Sequence, residues 1–236
     1  MRLTGLPAQD PYLASLPAIT GLLGAEALPF CRPVTFFVGE NGTGKSTLLE
    51  AIALASGFNA EGGTRNFHFH TKDTHAGLSA CLTLIKKRTP KDGFFLRAES
   101  FYNVATELER LDEIMPVLHY YGGKSLHKQS HGESFLSLVL NRFGENGLYI
   151  LDEPEAALSP SRQMTLLAQI HLLAQQGSQF IIATHSPILL TLPGAQIYQL
   201  SEDGIHASSY EDTEHYRITK DFLNNPQRML DYLLKD

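Results

Sequence analysis

Short, almost wholly apolar runs alternate along the chain with longer segments whose apolar residues recur every three or four positions. That alternation predicts strands followed by helices. "VTFFVGENG" (residues 34–42) is β-branched and aromatic and ends in glycines, which predicts a buried strand entering a tight loop. The next segment, "KSTLLEAIALASG", sets Leu48, Leu49, Ile52, Ala53 and Ala55 at helical spacing with Gly57 past the end. "LYILDEP" and "SQFIIATHS" predict two more buried strands. Between them, "SPSRQMTLLAQIHLLAQQG" predicts a helix with Ser159 as cap, Pro160 at its first position and Gly177 closing it. Within residues 78–97, "LSACLTLIKKR" and "GFFLR" predict two strands around a turn. "ATELERLDEIM" predicts a polar-faced helix stopped by Pro116. "ESFLSLVLNRFG" predicts a helix with Phe135, Leu138, Val139 and Arg142 on one side and Gly144 at its end. "AQIYQLSEDGIHASSY" predicts a hairpin turning at Asp203-Gly204. Last, "YRITKDFLNNPQRMLDYLL" predicts two short amphipathic helices, broken at Asn225-Pro226, that pack on the domain.

Apolar strands alternating with helices imply an α/β fold whose mainly parallel sheet is covered on both faces, with an antiparallel β portion from the hairpins. The stretch from 98 onward breaks the rhythm and predicts a small helical subdomain, approximately 98–143, inside a single domain spanning 1–236. A chain of 236 residues with 43% hydrophobic and 19% charged residues is an ordinary globular composition that can bury a substantial core. No run of about eighteen apolar residues is present to span a membrane, and the N-terminus, broken by Pro7, Pro11 and Pro17, does not read as a signal peptide. Cys31 and Cys81 form neither a metal spacing nor a disulfide framework, which fits a cytoplasmic, reducing setting. The formal charge of −6 argues against a wholly basic nucleic-acid binder, and Lys86, Lys87, Arg88 and Lys91 read as a solvated turn. His68, His70 and His75 in "NFHFHTKDTH" read as a surface loop or strand edge rather than metal ligands.

Chemistry enters with "GENGTGKST", residues 39–47. It matches G-x-x-x-x-G-K-[ST] in full and sits between a predicted strand and a predicted helix, as that loop requires. Gly39, Gly42 and Gly44 let the backbone curl so that the amides of Glu40, Asn41, Thr43 and their neighbours face phosphate oxygens, at the positive end of the next helix. Lys45 can reach the β- and γ-phosphates, and the Ser46 hydroxyl, followed by Thr47, is placed to ligate Mg²⁺. "LYILDEP" then releases Asp152 and Glu153 at a strand end, where open α/β sheets take their ligands. Asp152 would hold Mg²⁺ and Glu153 would polarise the attacking water. Adjacent carboxylates repel each other without a cation, so the pair itself hints at a metal. "FIIATHSP" ends a third strand at His185, which could meet the γ-phosphate.

With these in hand the sequence resembles the ABC-type P-loop ATPase superfamily. "GENGTGKST" looks like its Walker A, "LYILDEP" its Walker B with catalytic Glu, "IIATHS" its H-loop and "SHGE" its signature, of general form S-G-G-Q or S-G-G-E. The resemblance implies MgATP hydrolysis in a homodimer, with Ser130 and Gly132 closing over the nucleotide held by the other subunit. The chain departs from the family where His131 replaces the first signature Gly, where Gln129 stands in place of a common Leu, and where Ser159 replaces the Asp of the D-loop. The family's Q-loop Gln has no counterpart, and Glu99 after "GFFLR" is the nearest candidate for its metal-side role; Tyr12 is a candidate for stacking on adenine.

The interval from Gly39 to Ser130 is too short for the coiled-coil arms of chromosome-maintenance (SMC) and break-repair ATPases. Even so, "GENGTGKSTLLEAIA" and the S-x-G-E signature resemble that SMC/RecF-like branch more than a transporter subunit. The chain is most similar to small stand-alone bacterial ATPases without a long coiled coil. Two other roles stay open: the ATP-binding subunit of a membrane permease, or an ATP-gated clamp on DNA or a protein.

Overall fold

The computed structural model describes residues 1–7, 11–23, 25–65, 76–114 and 116–235; the predicted loop histidines at 68, 70 and 75 lie outside them. The chain enters through strand β1 (Arg2–Leu3) and helix α1 (Pro17–Leu23), and then forms β2 (Val34–Gly39), buried at every position. Helix α2 (Lys45–Ala55) follows the glycine loop, then α3 (Ala76–Ala80), β3 (Leu82–Thr83) and β4 (Asp92–Arg97). Helices α4 (Phe101–Ile114) and α5 (His131–Arg142) come next, joined by two short 3₁₀ turns at Leu118–Tyr121 and Leu126–Lys128. Strand β5 (Gly147–Asp152), helix α6 (Pro160–Gln175), β6 (Gln179–Ala183), β7 (Gln196–Ser201) and β8 (Gly204–Ser208) complete the body, and α7 (Glu214–Asn224) and α8 (Pro226–Leu233) end the chain.

The main sheet has the order β4-β5-β6-β2-β7-β8; its first five strands are parallel and only β8 runs antiparallel. Strand side chains alternate between faces, and the two faces carry separate cores. Phe36, Val38, Phe94, Leu96, Tyr149, Leu151, Phe180 and Ile182 point toward α4, α5 and α6. Phe37, Phe95, Leu148, Ile150, Ile181 and Ala183 point toward α1 and α2. The large aliphatic and Phe side chains among these contribute about 1.5–3 kcal/mol of burial each, and the two-sided burial explains why the strands read as continuous apolar runs.

Two expectations fail. Residues 78–97 do not form a hairpin: Ala76–Ala80 is helical, Leu82–Thr83 pairs antiparallel with Arg2–Leu3, and Asp92–Arg97 runs parallel to β5 at the edge of the main sheet. A two-residue strand carries too little alternation to betray its partner, and the covered edge strand is apolar like the central ones. Nor do α7 and α8 pack on the domain beyond the first turn of α7. They form as two helices broken at Asn225-Pro226, but no residue of either is buried, and Ile218, Leu223, Leu230, Leu233 and Leu234 stay exposed. Elsewhere the sequence-level detail needs one adjustment. Ser159 occupies the cap position of α6, but its side chain bonds no amide there. Among the described residues no helix is long and apolar enough to cross a membrane.

Candidate functional site

Strand register brings the chemistry together. Phe37 pairs with Ala183, Ala183 with Asp152, and Asp152 with Arg97, so four parallel strands end in one row. The residues just past that row are Gly39, His185, Glu153 and Glu99. Two bonds across the tips lock the row: the Glu153 N–H donates to Ala183 O at 3.0 Å and the Thr184 N–H to Phe37 O at 3.1 Å.

The loop after β2 needs its glycines for two different reasons. Gly39 has φ +151° and a side chain there would sit 2.4 Å from the Leu200 carbonyl oxygen, while Gly44 has φ +92° against the side chains of Leu16 and Ala18. Gly42, also left-handed, stands with Glu40 and Asn41 on the exposed crest, where nothing would touch a side chain at 42. The Thr43 hydroxyl donates to Glu40 O at 2.9 Å, and Thr47 sits half-buried in the first turn of α2. Lys45 is buried and its ammonium donates back to Gly39 O at 2.7 Å and Glu40 O at 2.8 Å. Burial lowers its pKa, while Glu153 and Asp152 pull the other way.

The Ser46 hydroxyl donates to Asp152 Oδ1 at 3.0 Å, joining the glycine loop to the tip of β5. Asp152 is 5% exposed, and that burial pushes its carboxyl up to about 6 despite Arg97, whose Nε lies 3.5 Å from Oδ2. Arg97 is itself held by buried Glu50 at 3.0 Å and by Glu99 at 3.5 Å. The next residue, Glu153, adopts a left-handed backbone (φ +49°), a conformation costing roughly 1–2 kcal/mol in a non-glycine residue. The bond from its N–H to Ala183 O holds it there. Ser46, Ala98, Glu99, His131, Asp152, Glu153 and Ala156 line a cleft of about 280 Å³. Glu99, the candidate that follows "GFFLR", thus borders the same space as Ser46 and Asp152.

His185 Nε2 lies 3.5 Å from Glu153 Oε1, too long for a hydrogen bond. Its Nδ1 lies 2.8 Å from His215 Nε2 at the start of α7. Glu155, pushed up by burial, receives the His185 backbone N–H at 2.5 Å and the Thr184 hydroxyl at 2.7 Å. It ties the β5 tip to the β6 tip. Burial first, and the nearby Lys45 next, lower both imidazoles below their usual range.

The segment at 130–133 is organised differently. Ser130 caps α5, and the Glu133 carboxylate accepts both the Ser130 N–H at 3.0 Å and its hydroxyl at 2.7 Å. Arg162 holds Glu133 at 3.1 Å, and a side chain at Gly132 would meet Ala157 O and the Arg162 guanidinium. Tyr12 is 57% exposed just before Leu13–Ser15; a few residues on, Leu16 and Ala18 pack against Gly44, and the Ala18 N–H donates to Thr43 O at 3.0 Å.

Two family models match the chain in pieces that contain this machinery. One, described as an AAA domain, matches residues 22–89; the other, described as an AAA domain, putative AbiEii toxin, Type IV TA system, matches 130–191. The two matches support an ABC/SMC-like P-loop fold for the chain. No curated protein matches it in sequence. Solved structures similar to it include the SMC head domain from Thermotoga maritima, at 16% identity over 75% of this chain and 89% of that one, with a TM-score of 0.40. A putative cobalt transport ATP-binding protein, cbiO-2 (ST1066), is 17% identical over 78% of this chain and 72% of that one, TM-score 0.46. The cbiO1 protein of Clostridium perfringens, part of the ABC transporter complex cbiONQ, is 19% identical over 84% and 86%, TM-score 0.43.

Three residues of the candidate site escaped sequence reasoning. Arg97 was legible in principle, as a lone cation ending an apolar strand. Glu155 follows the Asp152-Glu153 pair too closely to be singled out. Nothing in the sequence signals that His215 meets His185.

Proposed function

We propose that the chain binds MgATP on the 39–47 loop and hydrolyses it within a homodimer. The observation that carries this reading is the 3.0 Å contact between Ser46 and Asp152, with Glu153 and His185 on the same row of strand tips. The residues fit a nucleotide-bound magnesium ion. Asp152 is a buried carboxylate that burial keeps from ionising freely, and among the described residues no three His, Cys, Asp or Glu side chains form a metal site by themselves. Such a pair of oxygen donors suits Mg²⁺, which takes one or two protein ligands and fills its sphere with phosphate and water. Ser46 and Asp152 would hold it, with Glu99 at the cleft wall. Bound there, the ion would neutralise phosphate charge.

Lys45 now donates to two backbone carbonyls of its own loop; those acceptors stand in for the phosphate oxygens it would reach. Glu153 would orient and deprotonate the attacking water, held forward by its left-handed backbone. His185 would donate toward the terminal phosphate. Ser130 and Gly132 would serve the partner's nucleotide, since in their own chain Glu133 and Arg162 already cover them. The free Cys31 and Cys81 suit a cytoplasmic setting.

The test is Glu153→Gln, which should bind ATP, fail to turn it over and elute as a dimer on size exclusion. Elution as an ATP-loaded monomer removes the dimer; an unmutated chain that ignores MgATP removes the reading altogether.

A further inference from the structure

A histidine in a nucleotide site acts through whichever ring nitrogen carries the proton, and its neighbours set that choice. His185 Nδ1 and His215 Nε2 are 2.8 Å apart, with ring centroids 4.9 Å apart, so one proton lies between the two nitrogens. If His185 donated it, its Nε2 would be bare and would point a lone pair at the Glu153 carboxylate 3.5 Å away. Two acceptors would then face each other at the half-buried wall of the cleft. If His215 donates, His185 keeps its proton on Nε2 and presents a donor toward the carboxylate. Electrostatics selects the second arrangement. Burial and the nearby Lys45 oppose an added proton on either imidazole and outweigh the carboxylates that favour one, Glu153 at His185 and Glu214 and Glu40 at His215, while Glu155 meets His185 through its backbone N–H and not its ring.

We propose that His215 is a positioning residue that holds His185 as its Nε2–H tautomer, aiming an N–H donor at the Glu153 side of the cleft. The catalytic consequence rests on the nucleotide site proposed above. The local fold supports the role. Thr213 is fully buried; its hydroxyl donates to Tyr210 O at 2.7 Å and accepts the Tyr216 N–H, which anchors the first turn of α7. Tyr210 packs against the core and its ring meets that of Tyr216 at 4.5 Å. Beyond this turn the helix pair buries nothing. Among the described residues, His215 therefore sits in the turn that ties α7 to the domain. His185 Nε2 is buried with no hydrogen-bond partner, so the donor that His215 fixes is left free for a ligand.

Long-range proton–nitrogen correlation spectra of the ¹⁵N-labelled, nucleotide-free chain at neutral pH read the tautomer directly. His185 should show a protonated Nε2 and a bare Nδ1. In His215→Leu its ring signals should move toward an average of both tautomers, and in His215→Gln, whose amide N–H can still donate to Nδ1, they should stay near the unmutated pattern. A protonated Nδ1 in the unmutated chain, or His185 signals unmoved in His215→Leu, overturns the proposal. With MgATP, His215→Leu should lower kcat about tenfold or more while KM changes by less than about twofold, and His215→Gln should recover most of the rate. An unchanged kcat removes the catalytic consequence. No turnover by the unmutated chain would instead remove the proposed function, and the spectra, which need no nucleotide, still decide the tautomer.

Discussion

Two glycine-bearing elements carry the proposed phosphate contacts of this chain, and they differ in what they do with their own amides. In the loop at 39–46 the glycines have left-handed φ, Gly42 faces open space, and the buried Lys45 reaches back to carbonyls of its own loop. At 130–133 the glycine sits inside a helix, and its missing side chain makes room for Ala157 and Arg162 of the same chain. Glu133 has already taken the Ser130 N–H and hydroxyl. One element is open and incomplete; the other is closed on itself. On the proposed reading, a single chain carries a phosphate cradle open to ligand and a helix end that must be uncovered before it can meet a second anion.

Substitution at the two centres should separate them most sharply. Lys45→Ala removes charge-assisted bonds worth about 1.5–3 kcal/mol each and should weaken ATP binding by about 100-fold or more. Ser130→Ala should leave binding to the isolated chain unchanged and impair only nucleotide-dependent dimer formation. Titration with a fluorescent ATP analogue at concentrations that keep the chain monomeric reads both. Equal losses would erase the distinction.

A smaller effect tests the electrostatics of the open site. Burial raises the Asp152 carboxyl from 3.8 to about 6. The folded chain thus holds this proton more tightly than the unfolded one, and the associated stability is full below about pH 4 and lost as pH rises through 6. Above that, the metal-free carboxylate costs on the order of 2–3 kcal/mol. Asp152→Asn should therefore raise the urea midpoint at pH 7.5 in chelator, show no such gain at pH 4, and lose magnesium-dependent nucleotide binding. A less stable Asn variant at pH 7.5 would contradict the burial argument.

What the sequence revealed and hid follows the same division. The 39–47 loop, Asp152, Glu153 and His185 were legible because each is adjacent in sequence to the apolar strand that delivers it, and parallel register then aligns the tips. Features set by contact between distant segments were not. Leu82–Thr83 pairs with the first residues of the chain, Arg97 reaches Asp152 from a neighbouring strand, and His215 comes from a separate helix. The apolar stripes of α7 and α8 predicted helices correctly and packing wrongly, since amphipathicity fixes which face is apolar but not whether anything in the chain covers it.

The closed element offers the most delicate test. Glu133 and Arg162 are both partly exposed, and pairs of that kind add little to stability. Glu133→Gln should accordingly shift the melting temperature by no more than about 3 °C. Its effect on assembly should run the other way from an ordinary loss of contact. The Glu133 carboxylate, held below its usual range by the Ser130 hydroxyl and N–H, occupies the groups that a partner's phosphate would need and presents a negative charge to it. Neutralising it weakens the internal competitor, removes that repulsion and frees Arg162 from its ion pair. Sedimentation of Glu153→Gln with and without the added Glu133→Gln, in ATP, should then show the double variant dimerising at a severalfold lower concentration. Weaker dimerisation would mean that Glu133 belongs to the assembled interface rather than to its cover.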